Sequence, residues 1–158
     1  EFLLARPEVD RDRVGIRGDD LALLVAARRA GFRALDLSGL QFYRLLEACA
    51  RTEAYPIEEV NDWLRGHPGE REAVVRTLAL FDPLAHAPRV RATTLLSTDA
   101  PGTLAGPDWL EPLRDALGGP VEQYALTHEG ATDHDWIDAW TAARLGVAPR
   151  PRLWRIEA

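Results

Sequence analysis

The sequence predicts an α/β fold built on a parallel sheet. Short runs of β-type residues alternate with longer stretches of helical periodicity, as strand–helix–strand units require. The chain has 158 residues, about one average domain. Its 46% hydrophobic and 28% charged content is that of a chain that buries a core rather than a disordered tail.

The elements follow in order. Phe2, Leu3 and Leu4 are expected to end a first helix before Pro7. Val14 to Arg17 is a short strand stopped by Gly18. Leu21 to Arg29 is an Ala/Leu-rich helix closed by Gly31. Phe32 to Leu37 is the second strand, with Ser38 and Gly39 as its turn. Phe42 to Arg51, Ile57 to Arg65 and Glu70 to Phe81 then show apolar spacing near the helical period, punctuated by Pro56, Pro68 and Pro83. Three helices in a row interrupt the alternation, so the region of about 40–82 reads as a helical insert, or cap, over the strand ends. Ala92 to Thr98 is the third strand. Asp108 to Leu117 is a helix in which Asp108 and Glu111 have capping-box spacing, with Gly118 and Gly119 as its stop. Val121 to Leu126 is the fourth strand. Asp133 to Leu145 is the last helix, with Trp136 and Trp140 one turn apart and Gly146 as its end. Residues 1–147 thus form one unit, and 148–158 a Pro/Arg surface arm.

The net charge of −6 argues against nucleic acid or an anionic membrane surface as the main partner. No apolar run reaches the ~18 residues of a membrane span. The lone Cys49 excludes an internal disulfide and is compatible with a cytoplasmic location, the expectation here. All 19 basic residues are arginine, which suggests GC-rich coding rather than chemistry. The absence of methionine leads us to expect a fragment of something longer.

Three places could carry chemistry. Gly18-Asp19-Asp20-Leu21-Ala22 joins a strand directly to a helix, the context of a nucleophile elbow. Gly18 and Ala22 meet its demand for small residues, and Asp20 stands at the nucleophile position. Equally, Asp19 or Asp20 is a simple helix N-cap. His128-Glu129-Gly130 follows the last strand, where a general base would sit, although a loop histidine is often just solvated. Asp99, before Ala100-Pro101-Gly102, could orient a histidine or serve as a turn residue. His67, His86, His128 and His134 lack metal-ligand spacing, and no glycine-rich phosphate loop appears, so no metal or cofactor is expected.

Together these features resemble the acetyl xylan esterase / cephalosporin C deacetylase family, serine esterases of the α/β-hydrolase fold. The resemblance covers about Glu1 to Leu145 and matches the C-terminal half of that fold. It rests on the run Glu1-Phe2-Leu3, Arg6-Pro7-Glu8-Val9-Asp10 and Arg13-Val14-Gly15 into the elbow. It rests further on Tyr55-Pro56, Trp63-Leu64-Arg65, His67-Pro68, Phe81-Asp82 and Ala87-Pro88-Arg89-Val90 in the insert, and on His128-Glu129-Gly130. The resemblance implies four adjacent parallel strands with flanking helices. It carries the nucleophilic serine onto Asp20, the general base onto His128, and the triad aspartate, without gaps, onto Gly102. Asp99 takes that role only if the loop shifts. The backbone N–H of Leu21 inherits the oxyanion contact.

A carboxylate at position 20 would attack an ester to give an anhydride, and losing one triad member typically costs about 10⁴ or more in rate. The first reading is therefore a carbohydrate acetyl-ester hydrolase, truncated and catalytically impaired, whose substrate would be an acetylated carbohydrate or small acetyl ester. The second is a non-catalytic interaction or assembly domain. The third is an aspartate-nucleophile hydrolase; Leu21 stands where such enzymes generally place tryptophan. The absent N-terminal half of the fold, or further copies in a homo-oligomer, are the expected protein partners, because the strand at Val14 would be left with an open edge.

Overall fold

The computed structural model describes residues 5–150. The expected helix end at Phe2–Leu4 and most of the expected tail lie outside the described residues. One sheet holds the strands β1 (Val14–Gly18), β2 (Phe32–Leu37), β3 (Thr93–Thr98) and β4 (Val121–Ala125). All neighbours are parallel, and spatial order equals chain order, β1-β2-β3-β4. The central strands are apolar on both faces, as a sheet covered on both sides demands: Leu35, Leu37, Leu95 and Leu96 are fully buried.

Helices cover the two faces unequally. On one face α1 (Asp20–Arg28), α5 (Pro83–His86) and α6 (Pro107–Ala116) close the larger core around Leu23, Val90, Leu96, Trp109 and Leu113. On the other, α7 (Gly130–Leu145) packs Ile137 and Trp140 against Ala34 and Leu95. The insert between β2 and β3 comprises α2 (Leu45–Ala48), α3 (Glu58–Gly66) and α4 (Arg71–Leu78).

Three expected elements are corrected. The helix over 42–51 shrinks to α2, because Arg44 takes a left-handed φ of 48° and the Tyr43 hydroxyl is tied to the Trp109 carbonyl at 3.0 Å, which holds the segment onto α6. Trp109 is gripped from the insert side by two guanidinium groups, Arg44 at 4.1 Å and Arg51 at 4.5 Å from its ring centre. Asp108 is not an N-cap: Gly106 caps α6 without a side chain, Pro107 opens it, and Asp108 Oδ1 accepts from the Gly102 N–H at 3.1 Å. The short α5 stands where the sequence shows only the punctuation of Pro83; Asp82 caps it by accepting from the Leu84 N–H at 2.9 Å. Among the described residues no helix is long and apolar enough to cross a membrane.

Candidate functional site

The C-terminal ends of β1, β3 and β4 carry the candidate catalytic residues Asp20, Asp99 and His128. β1 ends at Gly18, where a Cβ would stand 3.2 Å from that of Ala22, so strand and helix approach as closely as small residues allow. Asp19 is the N-cap of α1, and its Oδ1 accepts from the Leu21 N–H at 3.0 Å. That N–H, the oxyanion donor implied by the resemblance, is thus already occupied.

Asp20, the first helical residue, is only 3% exposed. Its carboxylate points away from solvent to the loop after β2: Oδ2 accepts from the Gln41 N–H at 2.7 Å and Oδ1 from the Phe42 N–H at 3.1 Å. Burial pushes its pKa up, opposed by these N–H groups, while the charge of Asp19 adds to the rise. The elbow aspartate therefore ties α1 to the start of the insert.

His128 and Asp99 meet. β3 delivers Asp99 just beyond Thr98, and β4 delivers His128 three residues beyond its end. His128 Nε2 lies 2.9 Å from Asp99 Oδ1, and both side chains are accessible, 65% and 36% exposed. Asp99 also accepts from the Ala100 N–H at 2.7 Å; that bond, then the imidazole, holds its carboxyl below the usual aspartate range. Gly102, the ungapped acid position, sits at φ +83°, where its N–H donates to Asp108. Among the described residues no hydrogen bond or ion pair joins Asp20 to His128.

Asp133 is a residue that sequence reasoning assigned only to the opening turn of the last helix. It lies buried in the first turn of α7 and reaches back to the histidine loop. Oδ1 accepts from the Tyr124 hydroxyl at 2.8 Å, the Thr127 hydroxyl at 2.8 Å and the Thr127 N–H at 3.0 Å; Oδ2 accepts from the His128 N–H at 3.0 Å. These bonds anchor the backbone of the loop in which His128 takes a left-handed φ of 63°. The available signal was an aspartate in a first helical turn, able to satisfy N–H groups of the preceding loop.

Beside the Asp20 contact opens an apolar groove of about 430 Å³ between α2, α3 and α4, lined by Phe42, Leu45, Ile57, Val60, Trp63 and Leu78. Phe42 belongs to both places: its N–H binds Asp20 and the residue lines the groove. Among the described residues no group of three or more His, Cys, Asp or Glu could hold a metal ion.

No family model and no curated protein matches the sequence. Solved structures do. An acetyl xylan esterase from Paenibacillus sp. R4 superposes with a TM-score of 0.79 at 24% identity, over 90% of this chain and 48% of its own. Acetyl xylan esterase 1 from Thermoanaerobacterium sp. JW/SL YS485 gives 0.65 at 18% identity, over 84% and 47%. A puromycin-hydrolyzing peptidase of Mycobacterium tuberculosis gives 0.59 at 20% identity, over 90% and 24%. The chain thus spans about half the length of the esterases that it matches, consistent with a C-terminal half. In fold it is the strand–helix sheet of α/β-hydrolase esterases and peptidases.

Proposed function

We propose that this chain is a half-fold of the carbohydrate O-acetyl-ester hydrolase kind that keeps an acid–base pair, His128 with Asp99, and lacks a usable nucleophile, so that alone it turns over no acetyl ester. The observation that carries this reading is the engagement of both Asp20 carboxylate oxygens by the Gln41 and Phe42 N–H groups. A nucleophile must reach the substrate, and Asp20 is only 3% exposed, with both oxygens turned to backbone donors of the loop after β2. The same contacts speak against an aspartate nucleophile of any hydrolase class. The oxyanion side is equally spent, since the Leu21 N–H donates to Asp19; one such donor is worth ~3–4 kcal/mol of transition-state stabilisation.

The test is hydrolysis of 4-nitrophenyl acetate and of an acetylated xylo-oligosaccharide by the 158-residue chain beside its His128→Ala variant. Equal rates are expected. A rate that falls when His128 is removed overturns the reading.

A second reading, a non-catalytic binding domain, is favoured by the insert. Phe42 and Trp63 line its groove while each remains 43% exposed, and Tyr55, Leu80 and Phe81 add exposed apolar surface on the insert and the segment that follows it. Binding of an apolar dye that Trp63→Ser abolishes, with esterase activity absent in both proteins, would favour it.

A further inference from the structure

The groove between α2, α3 and α4 carries charge as well as apolar wall. Its lining comes from one contiguous stretch, residues 41–78, and its volume of about 430 Å³ is that of a small-molecule site. Two lining residues are polar, Gln41 and Glu59, and none is basic. Both polar residues are exposed, so each is open to a ligand.

The charge of Glu59 is unanswered. Its neighbours on α3, Glu58 and Asp62, share Arg65, which stands 2.7 Å from Glu58. Elsewhere in the insert Arg44 pairs with Glu47 and Arg76 with Glu72. Among the described residues the Glu59 carboxylate has no hydrogen bond and no ion pair. α3 thus sets the carboxylates of Glu58, Glu59 and Asp62 against the guanidinium of Arg65 alone. The Tyr55 hydroxyl feels this excess: its hydrogen bond to Asp62 and that carboxylate's charge, with lesser shares from Glu58 and Glu59, push its pKa up. Glu59 and Trp63 are four residues apart, hence neighbours on one face of α3, and both line the groove. His67 holds the indole from one side, its ring stacked at 4.3 Å with 13° between the planes and its Nδ1 2.9 Å from the Trp63 carbonyl. A fixed aromatic ring beside a free carboxylate is an arrangement that receives an organic cation.

We propose that the groove binds a small organic cation, an apolar aryl or alkyl body that carries one ammonium group. The body displaces water from Leu45, Val60 and Leu78, and the ammonium pairs with Glu59 beside the Trp63 indole. Gln41 adds a neutral acceptor to the same lining. The proposal rests on the binding-domain reading above and names its ligand. Charge sets the selectivity: a neutral ligand of the same shape leaves Glu59 unpaired, and an anion meets it as a like charge.

Three probes with one apolar body test this: 4-phenylbutylamine, 4-phenylbutanol and 4-phenylbutyrate, titrated into the full chain and followed by NMR shifts of backbone amides and indole N–H groups. At low salt the amine is expected to bind about fivefold more tightly than the alcohol, and the carboxylate most weakly, with shifts centred on Phe42, Val60 and Trp63. The advantage of the amine should shrink in about 1 M salt. Glu59→Gln, at an exposed position, should lower the affinity for the amine to that for the alcohol and leave the alcohol unchanged. An amine that binds no tighter than the alcohol overturns the proposal, as does a preference that survives Glu59→Gln. In either case, alcohol binding that Trp63→Ser removes, with the amide shifts of the sheet unmoved, leaves the binding-domain reading standing. If no probe shifts the groove residues, both fall.

Discussion

Asp99 approaches His128 through Nε2, at 2.9 Å, and not through Nδ1. In a serine-hydrolase triad the acid holds Nδ1, which leaves Nε2 to take the proton of the nucleophile. Here the nitrogen that would do that work is turned to the acid, at an exposed pair beyond the strand ends.

Restoring the hydroxyl will therefore not restore catalysis. Asp20→Ser is expected to hydrolyse 4-nitrophenyl acetate no faster than Asp20→Ser/His128→Ala. It should also lower stability by about 1–3 kcal/mol in urea unfolding, because a serine cannot accept from both the Gln41 and Phe42 N–H groups. A histidine-dependent gain in rate would contradict this.

Asp133 predicts the acid response of the histidine loop. The N–H of Thr127, the hydroxyls of Tyr124 and Thr127, and the N–H of His128 hold its carboxyl below the usual aspartate range. A depressed carboxyl stabilises the fold fully above its unfolded pKa and loses that contribution as pH falls through the lower folded value. In Asp133→Asn the acid limb of the stability profile should flatten, and the Thr127 and His128 amides should exchange faster at neutral pH. An unchanged limb would assign acid sensitivity to other carboxylates.

His128→Gly is expected to be neutral to stabilising, by about 0.5–1 kcal/mol, despite the loss of the Asp99 contact. The residue occupies φ +63°, where a side chain costs energy that glycine avoids. Thermal unfolding decides it; a marked loss of stability would mean that the exposed His128–Asp99 pair outweighs the backbone.

Gly118→Ala should be among the most damaging single-methyl additions, costing about 1–3 kcal/mol. A Cβ there would lie 2.4 Å from the Pro88 carbonyl oxygen and 3.0 Å from that of Val90, backbone that cannot swing aside. Chemical denaturation of the variant beside Gly66→Ala, which meets nothing within 4 Å, isolates the steric effect.

The sheet was legible because its signals are local. The runs at 14–17, 32–37, 92–98 and 121–126 each announce a strand by their own residues and bounding glycines or prolines, and the helices between them impose parallel pairing. Asp20 was not legible in the same way. The elbow spacing of Gly18 and Ala22 is local, but what its carboxylate binds lies at Gln41 and Phe42, beyond a helix and a strand. Asp133 was missed for the converse reason: an acidic residue in a first helical turn is so ordinary that its grip on Tyr124, Thr127 and His128 leaves no mark in spacing. The helix expected at 42–51 failed because tertiary anchoring of Tyr43 and Arg44 on Trp109 overrides periodicity.

That spatial and chain order coincide has a consequence for how the molecule assembles in time. During synthesis each new strand meets its neighbour already made, so the sheet can grow at one margin without waiting for a later segment to slot between earlier ones. The rungs are not equally easy to add. Residues 19–31 separate β1 from β2, and 99–120 separate β3 from β4, whereas 38–92 intervene between β2 and β3. The entropy of ring closure rises only logarithmically with span, so this middle step is delayed less by distance than by the need for the insert to settle first. The contacts of Arg44 and Arg51 with the Trp109 ring tie that insert to the helix following β3. Two small parallel ladders, formed early on either side, would then be zipped together last.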